Sequence, residues 1–144
     1  MGLLQPEYAL RSKMIAESAI TDVVSTRIYP AQAGYKATYP LVLYTRVDSE
    51  YFDTLNGLAD KNLTRVSIQL DIFGKDYGTA KTAATAIRGV LHSFSGTITS
   101  GEDSLTITRI RHTDERDGFD NPSLGRPDGI YRVIQEYDIW LNNE

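Results

Sequence analysis

The residues whose side chains could bind a metal ion are few and poorly spaced for that task. The chain contains two histidines, His92 and His112, which lie far apart in sequence, and it contains no Cys. Zinc sites are built from closely spaced Cys and His ligands, and no such set is present. Asp114, Glu115 and Asp117 follow His112, but they lack the regular ligand spacing of a calcium-binding loop. We therefore predict that the chain binds no metal ion.

Motifs for catalysis and cofactor binding are equally incomplete. Gly74-Lys75 and Lys81-Thr82 each contain part of a phosphate-binding loop, but the full G-x-x-x-x-G-K-[ST] spacing is absent. There is no G-x-S-x-G segment to carry a serine nucleophile. A thiolate nucleophile is excluded because the chain has no Cys. The sequence therefore predicts no catalytic residues, no cofactor and no enzymatic activity.

Length and composition place the chain among ordinary globular proteins. It has 144 residues, of which 41% are hydrophobic and 24% are charged, so we predict one domain over residues 1–144. Its apolar runs fall far short of the ~18 residues that cross a bilayer, and residues 1–7 lack the basic and apolar parts of a secretory signal. A net charge of −4 disfavours general binding to nucleic acid. We expect a soluble cytosolic chain without membrane contacts.

Hydrophobic periodicity predicts the elements that position these side chains. Apolar and polar residues alternate over 63–73, as in a strand with one buried face, and 80–94 carries an apolar stripe at helical spacing. The predicted order is helix (5–19), strand (41–47), strand (63–73), helix (80–94), strand (104–113) and strand (130–141). This order predicts an α+β fold, with a four-stranded, mostly antiparallel sheet and two helices packed on one of its faces.

Two predicted long loops, at about 48–62 and 114–129, carry most of the acidic charge. The segment 48–60 contains four acidic residues and no Lys or Arg, and 114–128 contains five acidic and two basic residues. Solvated polar loops are the ordinary interpretation, but loops of this length in a compact domain are often functional. The first loop also has large apolar side chains, which are typical of contacts with another protein. These candidate contact residues are Tyr51, Phe52, Leu55 and Leu58.

Four segments, in order along the chain, together carry a resemblance to a known family. They are VVSTRIYP at 23–30, YPLVLY at 39–44, RVSIQLDIF at 65–73 and the helical stretch at 80–91. Each segment alone is ordinary amphipathic patterning. Their order and spacing resemble those of the tail completion or tail terminator proteins of long-tailed bacteriophages.

The resemblance implies a structural virion protein. Such proteins form a homohexameric ring on the end of the tail tube, stop polymerisation of the tail tube protein and join the tube to a head completion protein. DNA passes through the ring as a non-specific passenger. A chain of this length has a radius of gyration of about 14–15 Å, and six spheres of that size leave a central hole of roughly one sphere diameter. The implied location is the head–tail junction of the virion, and the host cytoplasm before assembly.

Within such a ring the two acidic segments are expected to have separate roles. The first, including 51–58, is expected to become ordered when copies assemble. The second is expected to line the channel, where like charge repels the DNA phosphates. The candidate channel-lining residues are Asp114, Glu115, Asp117 and Asp120.

Two other interpretations remain open from the sequence. The chain could be a different neck or connector protein of the head–tail junction, or a small non-catalytic α+β module that binds a ligand in an apolar pocket. In a ring, each copy meets its neighbours through two different patches. An unpaired strand edge suits such a contact, but the sequence does not identify the strand.

Overall fold

The computed structural model describes residues 5–30, 39–52, 62–120 and 130–143. Within these residues the chain forms three helices and seven strands. They are α1 (Pro6–Ile15), α2 (Ser18–Val24), β1 (Ile28–Pro30), β2 (Leu41–Phe52), β3 (Asn62–Gly74), α3 (Tyr77–Leu91), β4 (Gly96–Ser100), β5 (Asp103–Ile107), β6 (Arg109–Asp120) and β7 (Ile130–Asn143). A five-stranded sheet has the order β1-β2-β3-β7-β6, and β4 and β5 form a separate hairpin.

The five-stranded sheet is built around the antiparallel pair β3 and β7. On one side β2 lies antiparallel to β3, and on the other β6 lies antiparallel to β7. The short β1 pairs in parallel with the first part of β2. Alternate strand residues enter a core that also contains the buried residues of all three helices and of the hairpin. The strand side of this core includes Val66, Ile68, Leu70, Ile72 and Tyr137.

The residues that alternate with this core form the other side of the sheet, which we call the open face. They are mostly polar and half-buried or exposed, as expected for a sheet with helices on one side. The open face comprises Leu41 and Leu43 of β2, which are buried, with Thr45 and Asp48; Arg65, Ser67, Gln69, Asp71 and Phe73 of β3; Arg132, Ile134, Glu136, Asp138 and Trp140 of β7; and Arg109, Arg111, Asp114 and Arg116 of β6.

Local sequence features account for the limits of the helices. Pro6 occupies the first turn of α1, where its missing N–H costs no hydrogen bond. The backbone is extended at Glu17, which separates α1 from α2. Asp76 caps α3, since its Oδ1 accepts a hydrogen bond from the Thr79 N–H at 2.7 Å. The buried stripe of α3 begins with small residues, which let the helix lie close to the sheet, and consists of Ala80, Ala83, Ala84, Ile87 and Leu91.

The turn from β3 into α3 has room for Gly74 but not for a larger residue. A Cβ atom there would lie 3.1 Å from the Ala80 nitrogen and 3.2 Å from the Asp76 carbonyl oxygen. Both are backbone atoms at the start of α3, so they cannot move independently. We expect Gly74→Ala to lower the free energy of unfolding by about 1–2 kcal/mol, measured by urea titration.

Gly89→Ala is the matched control for this prediction. No atom lies within 4 Å of a Cβ at Gly89, which is exposed within α3. We expect this substitution to raise the free energy of unfolding by about 0.5–1 kcal/mol, because Ala favours the helix over the unfolded chain. A Gly74→Ala variant as stable as the Gly89→Ala variant would contradict the steric argument.

The predicted α+β class is confirmed, and the predicted number of elements is wrong. The described residues form a five-stranded sheet, a two-stranded hairpin and three helices, where four strands and two helices were expected. The predicted helix over 5–19 divides into α1 and the start of α2. The predicted strand over 104–113 divides at Thr108 into β5 and β6, which belong to different sheets. The apolar positions change phase here, from Leu105 and Ile107 to Ile110, which is the sign of the division in the sequence.

The predicted loop boundaries at 48 and 114 are also wrong. β2 continues to Phe52 and β6 continues to Asp120, so 48–52 and 114–120 lie in strands. The charged residues that suggested loops are typical of strands near a sheet edge, where charge opposes unwanted pairing. Tyr51 and Phe52 therefore lie in β2, whereas Leu55 and Leu58 lie outside the described residues.

Both outer long strands contain one extra residue at the same level of the sheet. The register shifts between Arg46 and Asp48 in β2, and between His112 and Asp114 in β6. Arg46 pairs with Ile68, His112 pairs with Tyr137, and Ile68 pairs with Tyr137. The two irregularities therefore flank one row of the central strands. Such bulges bend a strand and increase its twist.

Candidate functional site

The edge strand β6 is joined to α3 by a cluster of ionised side chains. Lys81 of α3 places Nζ 2.9 Å from Glu115 Oε2 and 3.0 Å from Asp117 Oδ1. Tyr77 also donates its hydroxyl hydrogen to Asp117 Oδ2 at 3.0 Å. The extra residue in β6 allows this contact, because it sets Glu115 and Asp117 on the helix side of the sheet. The cluster therefore ties the outer edge of the sheet to the helix layer.

A buried amide extends this cluster into the core. Gln135 is fully buried in β7. Its Nε2 donates to the Ala84 carbonyl oxygen at 2.9 Å and to Glu115 Oε1 at 2.8 Å, and its Oε1 accepts the Tyr137 hydroxyl at 2.9 Å. Both ends of the amide are thus satisfied, which removes most of the penalty for burying it.

The charges in this cluster stabilise one another. Hydrogen bonds to Glu115 and Asp117 raise the pKa of Lys81. The hydrogen bond from Lys81 lowers the pKa of Asp117. Burial alone would raise the pKa of Glu115, but the hydrogen bonds from Gln135 and Lys81 outweigh it and the pKa is lowered. All three groups are therefore charged at neutral pH, and the cluster carries one net negative charge.

His112 lies against the buried side of the same cluster. Its ring contacts the Tyr137 ring edge-on, with 5.2 Å between centroids, and its Nε2 lies 3.5 Å from Glu115 Oε1. Its backbone N–H donates to His92 Nδ1 at 3.1 Å. Burial lowers the pKa of His112, although Glu115 opposes the shift. The ring is therefore neutral at neutral pH.

Mild acid is expected to weaken the fold through His112. Its pKa in the folded chain lies below the ordinary value of 6.5, so the unfolded chain takes up the proton first. The free energy of unfolding then falls as the pH decreases from 6.5 towards the folded-state pKa. The lowered pKa values of Glu115 and Asp117 extend the loss to lower pH, below their ordinary 4.5 and 3.8.

Urea titrations at about pH 7 and about pH 5 test this expectation. We expect the difference between the two free energies to shrink in His112→Gln, which has no titrating ring at this position. His92→Gln is the matched control and should keep most of the difference, because it leaves His112 in place. An unchanged pH difference in His112→Gln would show that other groups cause it.

A shallow cleft opens beside the outer end of this cluster. Tyr77, Asp117, Gly118 and Tyr131 line a space of about 280 Å³. The two tyrosine rings meet edge-on with 6.0 Å between centroids, and Tyr77 is 47% exposed. Aromatic rings beside a carboxylate form the kind of surface that receives side chains of another protein.

The open face carries charges of both signs in close pairs. Arg65 lies 3.0 Å from Asp48, and Arg116 lies 2.9 Å from Asp114 and 3.7 Å from Glu136. The side chains described on this face include five arginines and five acidic residues. The charged set is Asp48, Arg65, Asp71, Arg109, Arg111, Asp114, Arg116, Arg132, Glu136 and Asp138.

A comparison with protein families identifies the family of this chain. Residues 8–142 match the family described as tail completion protein gp17. The chain belongs to this family. The resemblance found in the sequence is thereby confirmed, and the protein is a phage tail structural protein. No curated protein matches the chain.

A solved structure shows the same fold as this tail completion protein. A chain in "Virion of native gene transfer agent (GTA) particle" aligns with a TM-score of 0.72 at 12% sequence identity. The alignment covers 96% of this chain and 95% of the other. At this identity the likeness establishes a common fold over nearly the whole length of both chains.

The acidic residues expected to line a channel divide between the two faces of this tail completion protein. Asp114 lies on the open face beside Arg116. Glu115 and Asp117 lie on the helix side, where Lys81 binds both. Asp120 ends β6, and its side chain is outside the described set, as are those of Tyr51 and Phe52.

Sequence reasoning missed the groups that connect to these acids. Lys81 lies far from β6 along the chain, and no local pattern couples the two. Gln135 did offer a signal, because it occupies an inward position between Val133 and Tyr137 in an otherwise apolar row. A polar residue at such a position needs a buried partner.

Within the described ranges no group of three or more His, Asp or Glu side chains is placed to hold a metal ion. Among the same residues, no helix has the length and apolar character needed to cross a membrane.

Proposed function

We propose that this tail completion protein forms a homohexameric ring on the end of the tail tube, stops tube polymerisation and joins the tail to the head. The observation that carries the proposal is the family match over 8–142. Its partners would be further copies of itself, the tail tube protein and a head completion protein, with DNA as a non-specific passenger. Its place in the virion would be the head–tail junction.

The shape of the sheet is compatible with repetition around an axis. β6 and β1 lie at opposite margins of one sheet, so each copy presents two different edges. A contact between unlike patches, repeated by rotation, closes a ring. Tyr51 and Phe52 at the far end of β2 remain proposed contacts with a neighbour, together with Leu55 and Leu58, which follow them in sequence.

Tube assembly in the presence of the chain tests this function. The tail tube protein is allowed to polymerise with and without the purified chain, and tube lengths are measured by negative-stain electron microscopy. We expect shorter tubes with a ring at one end, since a capped end adds no subunits. Tube protein with an unrelated globular protein is the control. Unchanged tubes, together with binding of the chain to tailless heads, would favour a different neck protein and contradict tube capping.

A further inference from the structure

Described residues cover the first part of the outer edge of β6. The Ile110 N–H donates to the Phe94 carbonyl oxygen at 2.9 Å, and the Ser93 N–H donates to the Ile110 carbonyl oxygen at 2.8 Å. The His112 N–H donates to His92 Nδ1. From 113 to 120, the described part of the chain supplies no backbone hydrogen bond to this edge. Among the described residues, the second part of β6 therefore has no strand on its outer side.

The register with β7 shows which backbone groups point out of this free part. Ile110 and His112 direct their N–H groups outward, and both lie opposite inner-face residues of β7. Hydrogen-bonding direction alternates along an antiparallel ladder. Residues opposite the next inner-face positions of β7 therefore also point outward, and these are Glu115 and Asp117.

The opposite margin of the sheet has a free segment of matching length. β1 pairs only with Val42, Leu43 and Tyr44 of β2, although β2 continues to Phe52. Residues 45–52 thus lack a neighbour on that side among the residues described. This segment has eight residues, as does 113–120 of β6. Each copy therefore has, at opposite edges, two strand segments of equal length that pair with no other strand among the described residues.

We propose that residues 113–120 of one copy pair antiparallel with residues 45–52 of the next copy, so that the sheets join edge to edge around the ring. The inference rests on the proposed ring. β2 and β7 run in one direction and β3 and β6 in the other. The segment 113–120 lies level with 41–45, at the opposite end of the sheet from 46–52. The pairing therefore needs strands tilted to the ring axis, as in closed barrels. Rotation about that axis keeps the strand directions, so β6 meets the neighbour's β2 in the antiparallel sense. Antiparallel addition is the commoner form of strand pairing.

The dimensions of such a closed sheet suit a DNA channel. Each copy contributes four long strands, so six copies give about 24 strands, and at ~4.8 Å per strand the circuit is roughly 115 Å. That corresponds to a cylinder about 37 Å across, and wider when the strands tilt. Helices of about 10–12 Å diameter cannot fit inside together with a duplex. The helix layer therefore lies outside, and the open face lines the channel.

Cross-linking between the two edges tests this contact directly. The chain has no Cys, so introduced thiols have no background. Asp48 and Arg116 both lie on the open face, with side chains 58% and 56% exposed. We expect Asp48→Cys/Arg116→Cys rings treated with a short bismaleimide to give a denaturing-gel ladder ending at six chains. Each single variant is the control and should give no ladder, because the contact joins two different patches.

A backbone substitution tests the same edge independently. Asp117→Pro removes an outward N–H for which the described residues supply no acceptor, whereas Asp117→Ala removes the same carboxylate and keeps the N–H. We expect Asp117→Pro to need at least ~10-fold more protein than Asp117→Ala to form rings, since it lacks one hydrogen bond at each of the interfaces. Circular dichroism and urea titration check that both variants fold equally well.

The outcomes separate this contact from the proposed function. Rings that cap tubes, without a ladder and with equal assembly of the Pro and Ala variants, would overturn the edge pairing and leave the function intact. Absence of both rings and tube capping would overturn the function and the pairing together.

Discussion

Replacing Gln135 by Leu is expected to lower the free energy of unfolding by about 3 kcal/mol. The change leaves the Tyr137 hydroxyl buried without its described acceptor and removes one hydrogen bond from Glu115. Leu has a similar volume, so the loss comes from unsatisfied polar groups and not from a cavity. Urea titration at neutral pH measures it. The pKa of Glu115 should also rise, because Gln135 supplies a hydrogen bond that lowers it.

A double-mutant cycle separates the contribution of the Tyr137–Gln135 hydrogen bond from the other effects of each substitution on the free energy of unfolding. Tyr137→Phe alone is expected to cost about 1 kcal/mol, since it deletes the partner of Gln135 Oε1. The double variant Gln135→Leu/Tyr137→Phe should be more stable than the sum of the two losses predicts, because neither unsatisfied group remains at that contact. Strict additivity would show that the Gln135–Tyr137 bond contributes nothing.

Replacing Asp71 and Glu136 by Lys is expected to make assembled rings bind duplex DNA roughly 10-fold or more tightly at low salt. Both residues lie on the open face, on the central strands β3 and β7. They are two of the acidic residues that offset the arginines of this face. The substitutions raise the net charge of each copy by four. Fluorescence anisotropy of a labelled duplex, measured over a range of salt concentrations, reports the change.

Asp22→Lys/Glu102→Lys is the matched control because it adds the same charge elsewhere. Asp22 is exposed on α2 and Glu102 is exposed in the turn between β4 and β5. If the open face lines the channel, this variant should bind DNA more weakly than the Asp71→Lys/Glu136→Lys rings and with a shallower salt dependence. Equal binding by the two variants would place the open face away from the DNA.

The parts of the fold that the sequence predicts well are those whose burial alternates regularly. β3 presents Val66, Ile68, Leu70 and Ile72 to the core, and the sequence pattern shows this without ambiguity. The stripe of α3 is equally clear, because Ala80, Ala84, Ile87 and Leu91 recur at helical spacing and all are buried. In these segments one face contacts the core along the whole length. The spacing of apolar residues is therefore enough to predict the element.

The parts that it predicts poorly depend on contacts between distant segments. The strand continues through 114–120 because Lys81 and Gln135 bind the acids of β6, and neither partner lies near them in sequence. The sequence does not predict β4, because only Ile98 of its five residues is buried. The acidic residues Asp114, Glu115 and Asp117 are adjacent in sequence, which suggested a single acidic surface. Alternation along β6 and its extra residue place them on two faces of the sheet.

The paired irregularities in β2 and β6 limit how the length of this chain can change during evolution. Because side chains alternate at every residue, loss of Val47 would exchange the faces of all positions on one flank of β2 and bring charged residues into the core. The same holds for Thr113 in β6. Insertions and deletions that survive selection should therefore fall between strands, and homologues lacking one extra residue should have re-patterned the rest of that strand.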